Sequence, residues 1–364
     1  MTSTHSQVIA EIGVNHDGSL STCKELISRA ADAGANFVKV QVFEPEVLCR
    51  TDAPLARYQQ DGRSPWASQR EMLTSLALSQ SDLLKIRTHA RNIGVGFGAT
   101  AFDAGSLAFA VEELQPDFIK VASADVVNLR ILWEAGRSGL PMILSTGMAR
   151  IDEIWLAVAT IAVARTGDES QLASKDALLD AFAKAGMHTP PKNLTLLHCT
   201  SNYPAPLEEA HTRAIRFLQQ SFRIPIGYSD HTAGSLAAIT AVALGATMLE
   251  KHVTHDRSAA GPDHSASLDI DGFRHYVQDV RQAEAALGID WKVVTSSEFA
   301  NRLALRVGCY ASRRLRSGDK IGLADLLFQR PRAESEGVDA WECLGRQVAR
   351  DIEAGEPITI RSLK

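Results

Sequence analysis

The chain reads as a closed eight-stranded parallel β/α barrel followed by a small β-rich module, and three observations carry that expectation. Eight short β-type runs alternate with helix-like stretches through residues 1–287. The alternation ends in one further helical stretch, Gly272–Leu287, which closes the ring. No GxGxxG turn follows the first strand, so the competing open α/β sheet lacks its phosphate-binding signature.

The strand candidates are Val8–Ile12, Phe37–Val42, Gly96–Thr100, Phe118–Val121, Met142–Ser145, Leu194–Cys199, Pro225–Ser229 and Met248–His252. Each is a short apolar run of strand length. Between them, Leu20–Ala33, Ile151–Ala164 and Gly234–Leu244 have helical amphipathic spacing. Two connections are long. Glu44–Gln80, containing APLARYQ and SPWASQ, separates the second strand from its helix and offers loops to a substrate. Arg165–Lys192 contains DALLDAFAKAG, which reads as an extra helix. Residues 288–300 read as a linker entering a helical turn. Residues 301–364 show short strands broken by the turn signals SGDK and AGEP, a module too small for its own catalytic cleft.

With 364 residues, 45% of them hydrophobic and 22% charged, the chain can bury a large core. A net charge of −5 argues against nucleic acid or an anionic membrane as partner, so any anionic ligand needs local positive groups. The five scattered cysteines form no CxxC pair, which suits a reducing cytoplasm. No run of about 18 apolar residues and no secretion-type N-terminus occurs.

In such a barrel the active site gathers at the C-terminal ends of the strands, and most of these strands end in polar side chains there. Lys39 and Lys120 end the second and fourth strands. A lone lysine commonly snorkels to solvent. Two, together with hydroxyls from Ser123, Ser145, Ser201 and Ser229, form a cradle for an anion. His231 and His252 end the seventh and eighth strands, one strand-plus-helix unit apart. As a pair they suit Mn²⁺, Mg²⁺ or Fe²⁺, and a closed structural zinc site is excluded by the short supply of ligands. Asp230 would orient a ligand or cap the helix beginning near Gly234. Glu11, set beside strand eight by barrel closure, is either an acid/base or an ion-pair partner of Lys39 or Lys251.

The segments AEIGVNHDGS, FVKVQVF, IKVASAD, ILSTGM, LLHCTSNYPAP, IGYSDHT, LEKHVT and GPDHSASL resemble, in family order, the sialic acid (nonulosonic acid) synthase family. The C-terminal module resembles its antifreeze-like (SAF) domain. The resemblance covers nearly the whole chain. It implies condensation of phosphoenolpyruvate with an open-chain N-acylated mannosamine-type aldose, giving a nine-carbon 2-keto-3-deoxy acid and phosphate by C–O cleavage. On matching positions it implies that Lys39, Thr100, Lys120, Ser123, Ser145, Ser201 and Ser229 bind phosphoenolpyruvate. His231 and His252 would hold Mn²⁺ or Mg²⁺, and Glu11 would handle the proton of the attacking water. Gln41 and Asp263 would contact the sugar, and Tyr203 would line the site. Arg330 would be delivered into the barrel of a second copy, making a domain-swapped homodimer.

Three positions depart from the family pattern. Asp125, near the sugar, replaces a common Glu, Ser201 replaces an Asn found in some members, and Arg332 replaces a usual Gly. GPDHSASL, the long connection between the fifth and sixth strands, and the APLARYQ loop are more similar to the neuraminic/legionaminic branch than to the pseudaminic one. The competing enzyme reading is a Schiff-base pyruvate aldolase using Lys120 or Lys39. The non-enzymatic one is a carbohydrate- or ice-binding module carried by an inactive barrel.

Overall fold

A computed structural model describes residues 5–56, 66–184, 191, 193–330 and 338–364. The end of the APLARYQ loop and Arg332 lie outside the described residues. The chain divides into two units, Met1–Gly288 and Ile289–Lys364.

The first unit runs β1 Gln7–Gly13, α1 Leu20–Asp32, β2 Phe37–Val42, α2 Pro45–Leu48, α3 Gln69–Leu76, α4 Gln80–Asn92, β3 Gly96–Ala101 and α5 Ala104–Phe109. It continues through β4 Phe118–Val121, α6 Leu129–Arg137, β5 Met142–Ser145, α7 Ile151–Ala164, α8 Lys175–Lys184, β6 Leu194–Cys199 and α9 Ala214–Phe222. It ends with β7 Ile226–Asp230, α10 Leu236–Ala243, β8 Met248–Thr254, β9 Leu268–Asp269 and α11 Ile270–Leu287. Strands β1 to β8 pair in sequence order, all parallel, and β1 pairs with β8 to close the barrel. The expected eight-stranded fold is therefore present.

Local chemistry explains the boundaries. Ser19, Ser68, Ser79, Asp103, Asn128 and Asp269 each accept a backbone N–H in the first turn of the following helix. The expected extra helix is α8. Two short helices, α2 and α3, fall in the long connection after β2, where loops are expected. β7 begins one residue later than expected, because Pro225 lacks an N–H for the ladder.

Barrel interior positions are set by the two-residue strand repeat. The lowest tier is Ile9, Phe37, Gly98, Phe118, Ile143, Leu197, Gly227 and Met248. Six of these form one apolar cluster, and the two glycines make room for their neighbours. A Cβ on Gly98 would lie 2.1 Å from the Phe118 ring, and one on Gly227 would lie 2.5 Å from Leu197 Cδ2. Outside the strands, a continuous apolar layer packs against the helices.

The second unit contains α12 Ser296–Leu305, β10 Gly308–Ala311, β11 Leu326–Gln329 and α13 Ala340–Cys343. β10 and β11 are antiparallel. Single bridges such as Leu315↔Ile352 and Val348↔Leu363 complete a small β core around Leu315, Ile321, Val348, Ile352 and Ile358. The SGDK and AGEP turns carry left-handed glycines, Gly318 (φ 95°) and Gly355 (φ 81°). The expected helical turn near Asn301 is the longer helix α12.

Candidate active site

Two residues beyond each floor position, the interior turns polar. The second tier is Glu11, Lys39, Thr100, Lys120, Ser145, Cys199, Ser229 and Glu250, one residue from every strand. Strand register aligns its members: Glu11 pairs with Lys39 and His252, Thr100 with Lys120, and Ser229 with Cys199 and Glu250. All are buried.

The charges in this tier are interleaved. Lys39 Nζ lies 2.5 Å from Glu11 Oε2 and 3.9 Å from Glu250 Oε2, and donates to Thr100 Oγ1 at 2.6 Å. Lys120 Nζ donates to both Glu250 oxygens at 2.7 and 2.9 Å, and Ser229 Oγ donates to Glu250 Oε1 at 2.8 Å. Gln41 Nε2 donates to Glu11 Oε1 at 3.3 Å. Each ammonium of the expected cradle thus also has a carboxylate partner. Glu250 went without a role in the sequence reading, yet it joins both lysines. Of the two alternatives for Glu11, the Lys39 ion pair is the contact present.

The two carboxylates titrate in opposite directions. Burial is the largest influence on Glu11 and raises its pKa, with the neighbouring Glu250 adding to it and Lys39 only partly opposing. Burial also works to raise that of Glu250, but Lys120 and Lys39 outweigh it and hold the group well below the ordinary carboxylate range.

Beside this tier the STGM loop opens a small recess. Ser123 Oγ accepts from Gly147 N at 3.0 Å. A Cβ added at Gly147 would lie 2.2 Å from Ser201 Oγ, 2.9 Å from Ser123 Oγ and 3.2 Å from Cys199 Sγ. Ser145 Oγ is buried with no hydrogen-bond partner among the described residues. Hydroxyls converging about a glycine, with an orphaned buried oxygen beside them, are donors that fit a small anion.

His231 and His252 stand above the second tier, their ring centroids 5.6 Å apart. Tyr203 packs on both, at 4.1 and 5.7 Å. His231 Nδ1 lies 2.8 Å from Thr200 O and 3.7 Å from Cys199 Sγ; burial works to lower its pKa, but Cys199 and the Thr200 carbonyl outweigh it and raise it. His252 Nδ1 is buried without a hydrogen-bond partner among the described residues, and Asp263 Oδ2 stands 3.6 Å away. Burial, followed by the neighbouring His231, pushes the His252 pKa well down, so its ring is neutral. Among the described residues no group of three or more His, Cys, Asp or Glu side chains is arranged for a metal ion. Two converging imidazoles, one with a buried nitrogen that has no hydrogen-bond partner among the described residues, nevertheless fit a divalent ion whose remaining positions are open to water and substrate oxygens.

Of the two roles open to Asp230, the contacts favour bracing the segment of His231 over capping the next helix. Asp230 Oδ1 accepts from Thr232 N and Oγ1 at 2.9 and 2.7 Å, and Oδ2 lies 3.3 Å from Lys251 Nζ. Lys251 also donates to Thr232 O and sits over the Tyr276 ring. This outward-facing buried pair braces the turn carrying His231, and the α10 N-cap is left to Ser235. Asp125 is half-buried and accepts from Asn128 Nδ2 at 2.8 Å on its own loop. Asp263 is buried, with Oδ2 3.6 Å from the Cβ position of Gly13. Arg330 lies in the second unit, exposed, directly after β11.

The NeuB family matches residues 26–292. The N,N'-diacetyllegionaminic acid synthase of Legionella pneumophila is 34% identical over 348 residues, covering 96% of this chain and 92% of that protein. The N-acetylneuraminate-9-phosphate synthase of Mus musculus is 31% identical over 361 residues, covering 98% of this chain and 92% of that one. Among solved structures, N-acetylneuraminic acid (sialic acid) synthetase from Leptospira borgpetersenii is similar with a TM-score of 0.64 at 29% identity. That match covers 83% of this chain and 92% of the other.

Proposed function

The chain belongs to the NeuB family, and from that premise we propose that it condenses phosphoenolpyruvate with an N-acylated mannosamine-type aldose and water to give a nonulosonic acid and phosphate. The identity to a diacetyllegionaminic acid synthase and an N-acetylneuraminate-9-phosphate synthase supports the legionaminate/neuraminate branch. The observation that carries the chemistry is the pair of carboxylates, Glu11 and Glu250, whose pKa values are pushed apart around shared lysines.

In this reading Lys39 and Lys120 take the carboxylate and phosphate charges of phosphoenolpyruvate, and Thr100, Ser123, Ser145, Ser201 and Ser229 supply hydroxyls. Glu250 stays ionised and keeps both ammonium groups in place. The enol C3 bonds to the sugar aldehyde carbon, and water adds to C2. Glu11 takes the proton from that water, its raised pKa suiting it to hold one, and one proton ends on the aldehyde oxygen, which becomes a hydroxyl. The C2–O bond to phosphate then breaks, and the bridging oxygen leaves with phosphate. His231 and His252 would hold Mn²⁺ or Mg²⁺, whose chemistry there is polarisation of the aldehyde oxygen. Asp263, Gln41 and Tyr203 would face the sugar, with Asp125 at its edge. The carboxylate partners of both lysines, Glu11 with Lys39 and Glu250 with Lys120, favour ammonium groups over the free amine that a Schiff base needs.

The oligomeric part of the proposal is a domain-swapped homodimer in which Arg330 of one copy serves the barrel of the other. Exposure of Arg330 and of Trp291, Val294 and Phe299 supports it. Mixing Arg330→Ala and His252→Ala subunits would then restore activity that neither has alone, and no restoration would refute the swap. The five free cysteines support a cytoplasmic setting, and no helix among the described residues is long and apolar enough to cross a membrane.

The test is phosphate release from phosphoenolpyruvate with N-acetylmannosamine, with 2,4-diacetamido-2,4,6-trideoxymannose, and with the pseudaminic precursor. In ¹⁸O-water the label should enter the keto acid and not the phosphate. Label in phosphate, or no release with any sugar, would overturn the reading.

A further inference from the structure

GPDHSASL contributes more than Asp263. The next residue, His264, is fully buried, and both of its ring nitrogens are engaged. Nε2 lies 2.9 Å from Asp17 Oδ1, and Nδ1 lies 2.6 Å from Thr254 Oγ1. The Thr254 hydroxyl also reaches Asp256 O at 3.2 Å, so it stands between the imidazole and that carbonyl. The imidazole thus ties the loop after β1 to the end of β8. The chain passes so close that a Cβ on Gly261 would fall 2.4 Å from His264 Cδ2.

A second set of bonds grips the other side of Asp263. Asn15 Nδ2 donates to Val253 O at 2.9 Å and to Ser267 Oγ at 2.8 Å. Ser267 Oγ in turn donates to Asp263 O at 2.6 Å. Residues 255–258, by contrast, run exposed at the surface. Without these ties, the Asp263 carboxylate would ride on the end of a surface loop.

We propose that His264, bonded to Asp17 and Thr254, is a positioning residue that holds Asp263 toward the sugar. This rests on the reading that Asp263 contacts the sugar. The latch acts on the sugar half of the site. The lysines and hydroxyls that would bind phosphoenolpyruvate stand on other strands and do not depend on it.

The experiment measures steady-state constants for both substrates, with melting temperature as the folding control. His264→Ala should raise the sugar KM by about 10–100-fold, as expected for a displaced binding group, and change the phosphoenolpyruvate KM less than about twofold. Thr254→Val should show the same split more weakly, and Thr254→Ser, which keeps the hydroxyl, should restore the wild-type values. If His264→Ala fails to fold, His264→Gln and the Thr254 pair carry the test. Asp263→Ala serves as the reference. A raised sugar KM there with none in the His264 and Thr254 variants overturns the latch alone. An unchanged sugar KM in Asp263→Ala overturns the sugar reading, and the latch with it. Equal rises in both KM values would also overturn the proposal, since they indicate general loosening.

Discussion

Two tiers of the barrel, two residues apart on the same eight strands, answer to different physics. The floor holds Ile9, Phe37, Phe118, Ile143, Leu197 and Met248, with Phe37 and Phe118 edge to face at 5.4 Å. Gly98 and Gly227 supply the space that the larger side chains fill. Its stability comes from close packing and removal of apolar surface from water. The tier above is equally buried but holds two lysines and two carboxylates. Desolvating those charges costs several kcal/mol each, and only mutual pairing offsets it. Packing tolerates any shape that fits, whereas the polar tier tolerates only matched partners.

The contrast can be broken most severely from above. His252→Ala should lower kcat on the order of 10³-fold if an ion there polarises the substrate. The floor beneath should be untouched, so the melting curve should superpose on wild type. Full activity in the presence of a chelator would remove the metal role.

Next in size, Glu250→Ala leaves Lys120 without its carboxylate in a buried site. A loss of roughly 3–5 kcal/mol is expected in urea unfolding, well above that of a floor substitution. Gly98→Ala tests the lower tier, because the new methyl meets the Phe118 ring. A cost of about 1–3 kcal/mol is expected with both KM values unchanged. A KM shift there would mean the two tiers are coupled.

The smallest effect is the most discriminating. Glu11 has a raised pKa in the folded state, so its contribution favours folding fully below the ordinary carboxylate range. That contribution is lost as pH rises through its folded value. Glu250, with its pKa lowered, runs the other way: its contribution is present above the carboxylate range and lost as pH falls through its folded value. Glu11→Gln should therefore abolish turnover yet raise the melting temperature at pH 7 by about 1–3 °C. The gain should vanish in acid, where the wild-type carboxyl is itself neutral. A melting temperature lowered at pH 7 would show that the Lys39 pairing outweighs burial.

Much of this was legible before the structure. Apolar runs bounded by turn signals gave four of the eight strands their observed limits, and the polar strand ends pointed to the mouth of the barrel. Other features depended on direction, which a list of strand ends does not convey. In Met248–Leu249–Glu250–Lys251–His252 the side chains alternate, so Glu250 shares the interior with His252 while Lys251 faces the helices. Extending that alternation down from His252 would have found Glu250, and the same step from Ser201 would have found Cys199. The brace between Asp230 and Lys251 needs strand register to be seen. The His264 tie needs a contact between residues 247 positions apart. Helices α2 and α3 lie in a connection whose SPWASQ and APLARYQ segments favour neither period.

The sealed floor has a kinetic corollary. With Phe118 over Gly98 and Leu197 beside Gly227, the barrel is a blind well, and reactants and products share one opening. In the proposed reaction phosphoenolpyruvate lies at the lower, lysine-bearing level and the sugar above it. On that reading the deeper guest has to enter before the sugar closes the well above it.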